Sequence, residues 1–446
     1  MPIVTTTRVQ PVSRWTAAKV SIGLSLLFLV VYGACNRFTA TRGDVGTWAY
    51  AWERHIPFVP LMIIPYLSID ALFVAAPFLC RDRGELRLLA RRIVMAILVA
   101  AAFFLLMPLR FSFERPSVPG VLGTVFDAFR TMDLPYNQFP SLHITLRAIL
   151  ADLYWRHTRG WRRAAAAVWF SLIGASTLLT YQHHVIDLLG GFALAAICFY
   201  VVDAAPWRLP ATRNLRVGTF YATGAAVLIA IAWTAAPIAA VLLWPAASLA
   251  IVAAAYVGVG PGVFRKRGGR HIFTARVLLA PVILGQWLSM RHYARRPRRW
   301  DVVTRHVWIG RTLSRAEAIE AIEAGVSAVL DLTSELPEAA PFRALPHYYN
   351  VPILDLTAPT DAQVREAVNF LAEQVRRGRI VYVHCKAGYS RSAVVVAAYL
   401  LRAGAARRPA DALARVRACR AGIVVRAEAV RAFHSQAQLL YSAPYA

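Results

Sequence analysis

The sequence contains few cysteines, and they are scattered. The five lie at positions 35, 80, 198, 385 and 419, and no two of them have the spacing of metal ligands. Three lie in or beside apolar segments. We therefore expect neither a disulfide framework nor a zinc site in this protein.

Acidic residues are also scarce. There are 24 Asp and Glu against 50 Lys and Arg, which gives a formal net charge of +26. A nucleic-acid-binding protein with this balance would carry a basic stripe on a soluble domain. Here most arginines lie in short runs between apolar segments, so the pattern favours contact with anionic lipid headgroups and excludes nucleic acid as a partner.

Long apolar stretches dominate the first two-thirds of the chain, and 58% of all residues are hydrophobic. The first stretch follows Arg8, Arg14 and Lys19 without a convincing cleavage site, which favours a retained helix over a signal peptide. Stretches long enough to span a bilayer lie near 17–36, 57–79, 93–113, 140–156, 164–181, 184–204, 217–234 and 237–259.

The loops between these stretches alternate in charge. Basic loops are typical of the cytoplasmic side, which predicts a cytoplasmic N-terminus and an outward-facing loop near 114–139. The segment 277–290 is short for a span and has arginines on both sides, so we interpret it as an interfacial or re-entrant helix, with a ninth span as the alternative.

The composition changes at Pro297, after which short β-rich runs alternate with helical patterns. We predict strands at 302–309, 328–332 and 380–383, and helices at 315–324, 361–377 and 391–404. The predicted fold class is a polytopic α-helical membrane domain followed by a soluble α/β domain. The predicted domains are 17–205, with six membrane helices; 206–298, with further helices, the interfacial segment and a basic linker; and 299–446.

A chemical motif joins the last predicted strand to its helix: His-Cys-Lys-Ala-Gly-Tyr-Ser-Arg-Ser, residues 384–392. A strand–loop–helix turn directs backbone N–H groups and a helix N-terminus at one point, which makes an anion site. There Cys385 is a candidate nucleophile, and Arg391 offers a planar fork of donors to a phosphoryl group. Further expected roles are the tight turn for Gly388, a hydrogen bond to the thiolate for Ser392, and orientation of the cysteine for His384.

The leaving group of such a reaction needs a proton donor. Two aspartates follow the predicted strand that begins near Val351. We favour Asp355 as the general acid over Asp361, because Asp361 suits the N-cap of the helix predicted at 361–377.

These residues carry a family resemblance. Residues 299–435 resemble a dual-specificity protein-tyrosine phosphatase domain, and Val-Tyr-Val-His-Cys-Lys-Ala-Gly is especially similar to the phosphatidylglycerophosphate phosphatases of that family. The segment 307–310 resembles the opening strand of such domains. Lys386 is kept as a substrate-binding cation, whereas Tyr389 stands where these lipid phosphatases have a basic residue.

A second constellation lies within the apolar region. His183 and Asp187 are four residues apart, so one helical face can present both, and ionisable groups at membrane depth are usually functional. The predicted topology places His143 at the same outward face, and Arg115 adds a cation there. In this hypothesis His183 attacks phosphorus, Asp187 supports it and His143 protonates the leaving group. For His184 we expect only the role of an interfacial polar neighbour.

Residues 20–205 resemble the type-2 phosphatidic acid phosphatase superfamily. The similarity rests on Phe-Pro-Ser-Leu-His at 139–143 and Gln-His-His-Val-Ile-Asp at 182–187, patterns typical of its inositolphosphorylceramide and sphingomyelin synthase branch. The resemblance implies that Ser141 binds substrate. Two positions depart from the superfamily, Pro108 and Thr177, where basic residues are usual. The second departure is shared by the synthase branch and favours a transferase.

Taken together, these patterns predict a bifunctional enzyme of lipid phosphates that needs no metal or cofactor. Its partners would be a phospholipid or phosphoprotein substrate and an anionic bilayer. We expect a multi-pass inner-membrane protein with the cysteine site cytoplasmic and the histidine site facing outward. The alternative is a membrane-tethered protein phosphatase whose membrane domain is independent or inactive.

Overall fold

The computed structural model describes residues 11–234, 241–293 and 298–425. The chain divides into two compact units, residues 1–204 (the helical unit) and 205–446 (the C-terminal unit). Arg8 and the composition change at Pro297 lie outside the described residues.

The helical unit is built of α-helices joined by irregular loops. α3 shows why these segments pack: its buried residues Ile93, Ala96, Ile97, Ala100 and Phe104 recur every three or four positions and face the core. The helices are α1 (Arg14–Ala40), α2 (Ile63–Leu79), α3 (Arg83–Leu106), α4 (Gly120–Met132), α5 (Leu142–His157), α6 (Gly160–Leu179) and α7 (Val185–Val201).

Two features of this unit differ from the sequence prediction. The stretch expected at 93–113 is a helix that starts ten residues earlier, because Asp82 caps it by accepting hydrogen bonds from the N–H groups of Gly84 and Glu85. α4 was not predicted at all. It lies in the loop expected to face outward and buries a single narrow face around Phe126.

Among the described residues, four helices are long and apolar enough to cross a membrane. α5, which corresponds to the span expected at 140–156, has only 16 residues and so covers about 24 Å of a hydrocarbon core of about 30 Å. The four helices that are long and apolar enough to cross a membrane are Arg14–Ala40, Pro60–Leu79, Arg83–Leu106 and Leu215–Thr234.

The C-terminal unit begins with a connecting segment, residues 205–293. The stretch expected at 237–259 ends its regular helix at Ala254, before Gly258 and Gly260 turn the chain with positive φ. The predicted interfacial helix 277–290 is two helices, divided at Leu279. The elements are α8 (Leu215–Thr234), α9 (Leu243–Ala254), β1 (Lys266–Arg267), β2 (Arg270–His271), α10 (Phe273–Leu278) and α11 (Ala280–Tyr293).

The rest of this unit alternates strands and helices. The strand expected at 302–309 is an antiparallel hairpin of β3 and β4, while the other predicted strands and helices lie where the pattern placed them. The elements are β3 (Trp300–Thr304), β4 (Val307–Arg311), α12 (Arg315–Glu323), β5 (Val326–Thr333), α13 (Ala340–Ala344), β6 (Tyr348–Ile353), α14 (Asp361–Arg376), β7 (Ile380–Cys385), α15 (Arg391–Arg402) and α16 (Pro409–Cys419).

The sheet positions the site. Its strand order is β3-β4-β7-β5-β6, and β4, β7, β5 and β6 run parallel. The carboxyl ends of parallel strands meet at one edge, where ligands bind in open α/β sheets. The loops after β5, β6 and β7 therefore converge there, and α15 begins at the same edge with its first eleven residues buried.

Candidate active site

Cys385 ends β7 and is buried at the start of the loop 385–391 (the phosphate loop). Its Sγ lies 3.4 Å from Oγ of Ser392, as expected for a hydroxyl that hydrogen-bonds a thiolate. Gly388 turns the loop with φ +72°, and a Cβ there would approach the carbonyl oxygen of Gly310 to 2.4 Å. Both the dihedral angle and the close approach require glycine at this position.

The surroundings favour the thiolate form of Cys385. Burial by itself would raise the pKa of the thiol, but the Arg391 charge and the Ser392 hydrogen bonds outweigh it and leave the pKa lowered. A lowered pKa increases the fraction of Cys385 that is thiolate at a given pH, and the thiolate is the nucleophilic form.

Arg391 is held by a partner that the sequence analysis did not identify. Its two terminal nitrogens donate to both carboxylate oxygens of Glu335, at 2.7 and 3.1 Å, and one also donates to the carbonyl of Ile353 at 2.8 Å. Both side chains are buried. Burial would raise the pKa of Glu335, but Arg391 lowers it overall, so the pair stays charged. Glu335 lies just past the carboxyl end of β5, and that position was the signal available in the sequence.

Of the two candidate general acids, Asp355 contacts the phosphate loop, whereas Asp361 begins a helix. Oδ1 of Asp355 is 3.1 Å from a terminal nitrogen of Arg391, and Oδ2 is 3.6 Å from Nζ of Lys386. Asp361 is the first residue of α14. The predicted N-cap role was wrong, because Thr360 is the cap and its hydroxyl accepts from the N–H of Gln363.

Lys386, predicted to bind substrate, reaches into the connecting segment. Its Nζ donates to Oε1 of Gln286 on α11 at 2.6 Å. The ammonium therefore lies between Gln286 and Asp355, at the border of the phosphate loop.

His384 contacts a buried acidic pair. Nε2 lies 2.6 Å from Oε2 of Glu338 and 3.9 Å from Oδ1 of Asp331. Burial would lower the pKa of His384, but Glu338 raises it overall. Lys266, on β1 of the connecting segment, donates to Asp331 at 2.5 Å and to Thr333.

The same acidic pair and His384 have their ligand atoms within 4.8 Å of one another, a grouping that resembles a metal site. The donor set does not fit one. Asp331 is already neutralised by the buried ammonium of Lys266, and a raised pKa favours protonated His384, which cannot be a ligand.

A cavity of about 260 Å³ opens over the cysteine. Its lining joins the polar groups of Cys385, Lys386 and Arg391 to apolar residues such as Leu356 and Val424, so it combines an anion site with less polar surface. It is lined by Tyr293, Asp355, Leu356, Thr357, Ala358, Cys385, Lys386, Ala387, Tyr389, Ser390, Arg391 and Val424.

Comparison with known proteins agrees with this geometry. Residues 307–436 match the family model for the dual specificity phosphatase, catalytic domain. The C-terminal domain is therefore similar to the catalytic domains of dual-specificity phosphatases. No family model matches the helical region before it.

Two curated relatives illustrate the similarity of this phosphatase domain. Phosphatidylglycerophosphate phosphatase PTPMT2 of Arabidopsis thaliana is 29% identical over 131 residues, which cover 28% of this chain and 57% of the relative. Phosphatidylglycerophosphatase and protein-tyrosine phosphatase 1 of Mus musculus is 38% identical over 87 residues, covering 19% and 45%. The chain thus spans about half the length of these relatives.

One solved structure similar to the phosphatase domain is that of PTPMT1 in complex with PI(5)P. It is 23% identical, with a TM-score of 0.30, and the alignment covers 32% of this chain and 98% of that one.

The predicted histidine site lies in the helical unit. Nδ1 of His183 is 3.6 Å from Oδ2 of Asp187, which is too long for a hydrogen bond. His143 stacks on Tyr66 with ring centroids 4.3 Å apart. Nε of Arg115 donates to the carbonyl of Tyr181 at 3.0 Å.

Two neighbours of this site have structural roles. Ser141 caps α5 by accepting from the N–H of Ile144. The side chain of His184 is buried, with Nδ1 2.9 Å from Glu53 and Nε2 3.0 Å from the hydroxyl oxygen of Ser112. A cavity beside His183 and His184 measures only about 10 Å³.

Proposed function

We propose that this protein is a membrane-bound phosphatase that hydrolyses phosphate monoesters of membrane lipids at Cys385. The observation that carries the reaction class is the cavity lined by a cysteine of lowered pKa, an arginine and an aspartate. This set supplies the nucleophile, the phosphoryl clamp and the proton donor that the reaction needs.

The proposed reaction has two steps. The thiolate of Cys385 attacks phosphorus and the ester P–O bond breaks, while Asp355 gives its proton to the leaving oxygen. Water then attacks the phosphocysteine, Asp355 accepts a proton from that water, and the sulfur leaves as a thiolate that Ser392 stabilises. Arg391 holds the equatorial oxygens in both steps. The products are an alcohol and inorganic phosphate.

A lipid substrate is supported by the position of α8. Leu356, an exposed residue that lines the cavity, accepts a hydrogen bond through its carbonyl from Nδ2 of Asn214 at 2.7 Å. Asn214 immediately precedes α8, one of the four helices long and apolar enough to span a bilayer. If α8 spans, the rim of the cavity lies at the membrane surface, where lipid headgroups are locally concentrated.

Lys386 adds a cation to the lining of the cavity, which suits a headgroup with more than one anionic group. The two relatives named above are phosphatidylglycerophosphate phosphatases by name, and one of them is also named a protein-tyrosine phosphatase.

The test is a competition between phosphatidylglycerophosphate in mixed vesicles and a phosphotyrosine peptide, both given to the full-length protein at matched concentration. We expect kcat/KM to favour the lipid, and Lys386→Ala to reduce this preference. The matched control is Lys19→Ala, an exposed lysine of the helical unit. A preference for the peptide that is unchanged by Lys386→Ala would establish a tethered protein phosphatase instead.

A second candidate activity concerns the histidine site. We propose a lipid phosphotransferase or phosphatase centre formed by His183, Asp187, His143 and Arg115, and it is supported by the 3.6 Å approach of the first two groups. The small cavity beside His183 means that a lipid headgroup needs the loops around it to open. Loss of a lipid product in His183→Ala, with Cys385 intact, would test it.

For localisation we propose a multi-pass protein of the plasma membrane with the phosphatase domain in the cytoplasm. The four apolar helices and the basic residues around α11 support this arrangement. Reporter fusions after residue 446 test it, and periplasmic activity of the reporter there would contradict it.

A further inference from the structure

The loop that carries Asp355, residues 354–358 (the acid loop), is fastened to the connecting segment by hydrogen bonds to its backbone. Oη of Tyr256 donates to the carbonyl of Asp355 at 3.0 Å, and Nδ2 of Asn214 donates to that of Leu356 at 2.7 Å. Oγ1 of Thr212 donates to the carbonyl of Ala358. Three carbonyl groups of the acid loop, those of residues 355, 356 and 358, therefore accept hydrogen bonds from side chains of the connecting segment.

The loop has a conformation that needs such support. Leu356 has φ +59°, a left-handed conformation that a leucine rarely adopts. A residue keeps such a conformation only where its surroundings hold it. The residue that donates to the Leu356 carbonyl, Asn214, is itself fixed, since its backbone N–H donates to the carbonyl of Tyr256.

Apolar packing joins the same elements. Leu354, the first residue of the acid loop, is buried in a cluster formed otherwise by the connecting segment. Its partners there include Val252, Tyr256, Phe264 and Leu279. The start of the acid loop thus belongs to the core of the connecting segment.

A second line of contacts reaches the phosphate loop. Gln286 accepts from Lys386 and donates through Nε2 to Oη of Tyr221 at 2.9 Å. Tyr221 stacks on Tyr256 with ring centroids 5.7 Å apart and an interplanar angle of 11°. Tyr256 in turn donates a hydrogen bond to the acid loop. The phosphate loop and the acid loop therefore both contact one group of side chains, formed by Gln286, Tyr221 and Tyr256.

We propose that the connecting segment is a working part of the phosphatase site, in which Tyr256 and Asn214 are positioning residues that hold Asp355 where it can protonate the leaving group. This inference rests on the proposed cysteine mechanism and extends it to residues outside the matched segment 307–436. The phosphatase domain alone, 299–446, lacks these donors, so acid catalysis requires the longer chain.

The experiment uses full-length protein in detergent micelles and two soluble substrates. An aryl phosphate with a good leaving group needs little proton donation, whereas an alkyl phosphate depends on it. Tyr256→Phe removes one donor. Asn214→Asp removes the other but keeps the oxygen that accepts from the N–H of Val217 at the start of α8. We expect each variant to lower kcat for the alkyl phosphate about tenfold and for the aryl phosphate less than about twofold, as part of the 10²–10⁴-fold typical of acid catalysis.

Two controls separate positioning from folding. Tyr349→Phe removes a tyrosine hydroxyl that donates to Glu366 on an exposed part of the same unit, and we expect it to leave both rates unchanged. The rate of Cys385 alkylation reports whether the phosphate loop remains intact in each variant.

The decisive background is Asp355→Ala. If Tyr256 and Asn214 act through Asp355, then Tyr256→Phe and Asn214→Asp should not lower the rate on the alkyl phosphate any further in a protein that already carries Asp355→Ala. Equal losses on both substrates, a further loss in the Asp355→Ala background, or no loss at all would overturn the proposal. Activity that persists in Cys385→Ser would instead overturn the cysteine mechanism, so the two failures are distinguishable.

Discussion

The cysteine site and the histidine site both gather ionisable groups in buried positions, but they differ in how those groups are arranged. At the cysteine site Arg391 and Cys385 face a cavity of about 260 Å³, and Arg391 makes two hydrogen bonds to Glu335. At the histidine site the 3.6 Å between His183 and Asp187 exceeds a hydrogen bond, and the neighbouring cavity is about 10 Å³.

This difference teaches how far a motif alone specifies a site. The cysteine motif is contiguous, and a strand and a helix fix its geometry within nine residues. The histidine motif joins positions forty residues apart, so its geometry depends on how separate helices pack. A pre-organised set of donors acts without rearrangement, whereas the second site must open before it can bind a headgroup.

Among the substitutions that test this difference between the two sites, we expect loss of the nucleophile Cys385 to have the largest effect on activity. Cys385→Ser should lower hydrolysis of soluble phosphate monoesters about 10⁴-fold or more, because the thiolate forms the covalent intermediate. His183→Ala should leave this activity unchanged if the two sites are independent. The measurement is phosphate release by full-length protein, and a His183→Ala variant as inactive as Cys385→Ser would mean that the sites work as one.

A smaller effect is expected from the buried charges beneath the phosphate loop. Lys266→Met leaves Asp331 buried without its cation, which should destabilise the C-terminal unit by about 3–5 kcal/mol. Thermal unfolding measures this change, with the exposed Lys19→Met as the matched control. Adding Asp331→Asn should recover part of the loss, and a double variant less stable than Lys266→Met would contradict the explanation.

The smallest effect concerns the thiol itself. Ser392→Ala removes one group that lowers the pKa of Cys385 but leaves the larger influence of Arg391. The pKa of the thiol should therefore rise, and alkylation of Cys385 should begin at higher pH than in the wild type. A pH profile of alkylation measures the shift. A midpoint that stayed fixed or moved to lower pH would remove Ser392 from the account of the thiolate.

The sequence by itself determined that the C-terminal part of the chain is an α/β domain, and it identified the central residues of the cysteine site. Periodic patterns predicted β5, β7, α12, α14 and α15, though not α13, and Cys385, Arg391, Asp355 and Lys386 all line one cavity. These predictions depend on short-range features: alternating burial, and a strand–loop–helix turn that fixes its own side chains.

Only the tertiary structure revealed the partners of those residues. The partners lie 46 to 142 residues from the groups they contact, and no local periodicity relates them; they are Glu335, Glu338, Lys266, Tyr256 and Asn214. Two helix features also became visible only in the structure. The early start of α3 depends on its cap, and α4 depends on one narrow buried face. Contacts between distant elements arise from packing of the whole unit, and this is why Asp355 was found from the sequence while the residues that hold its loop were not.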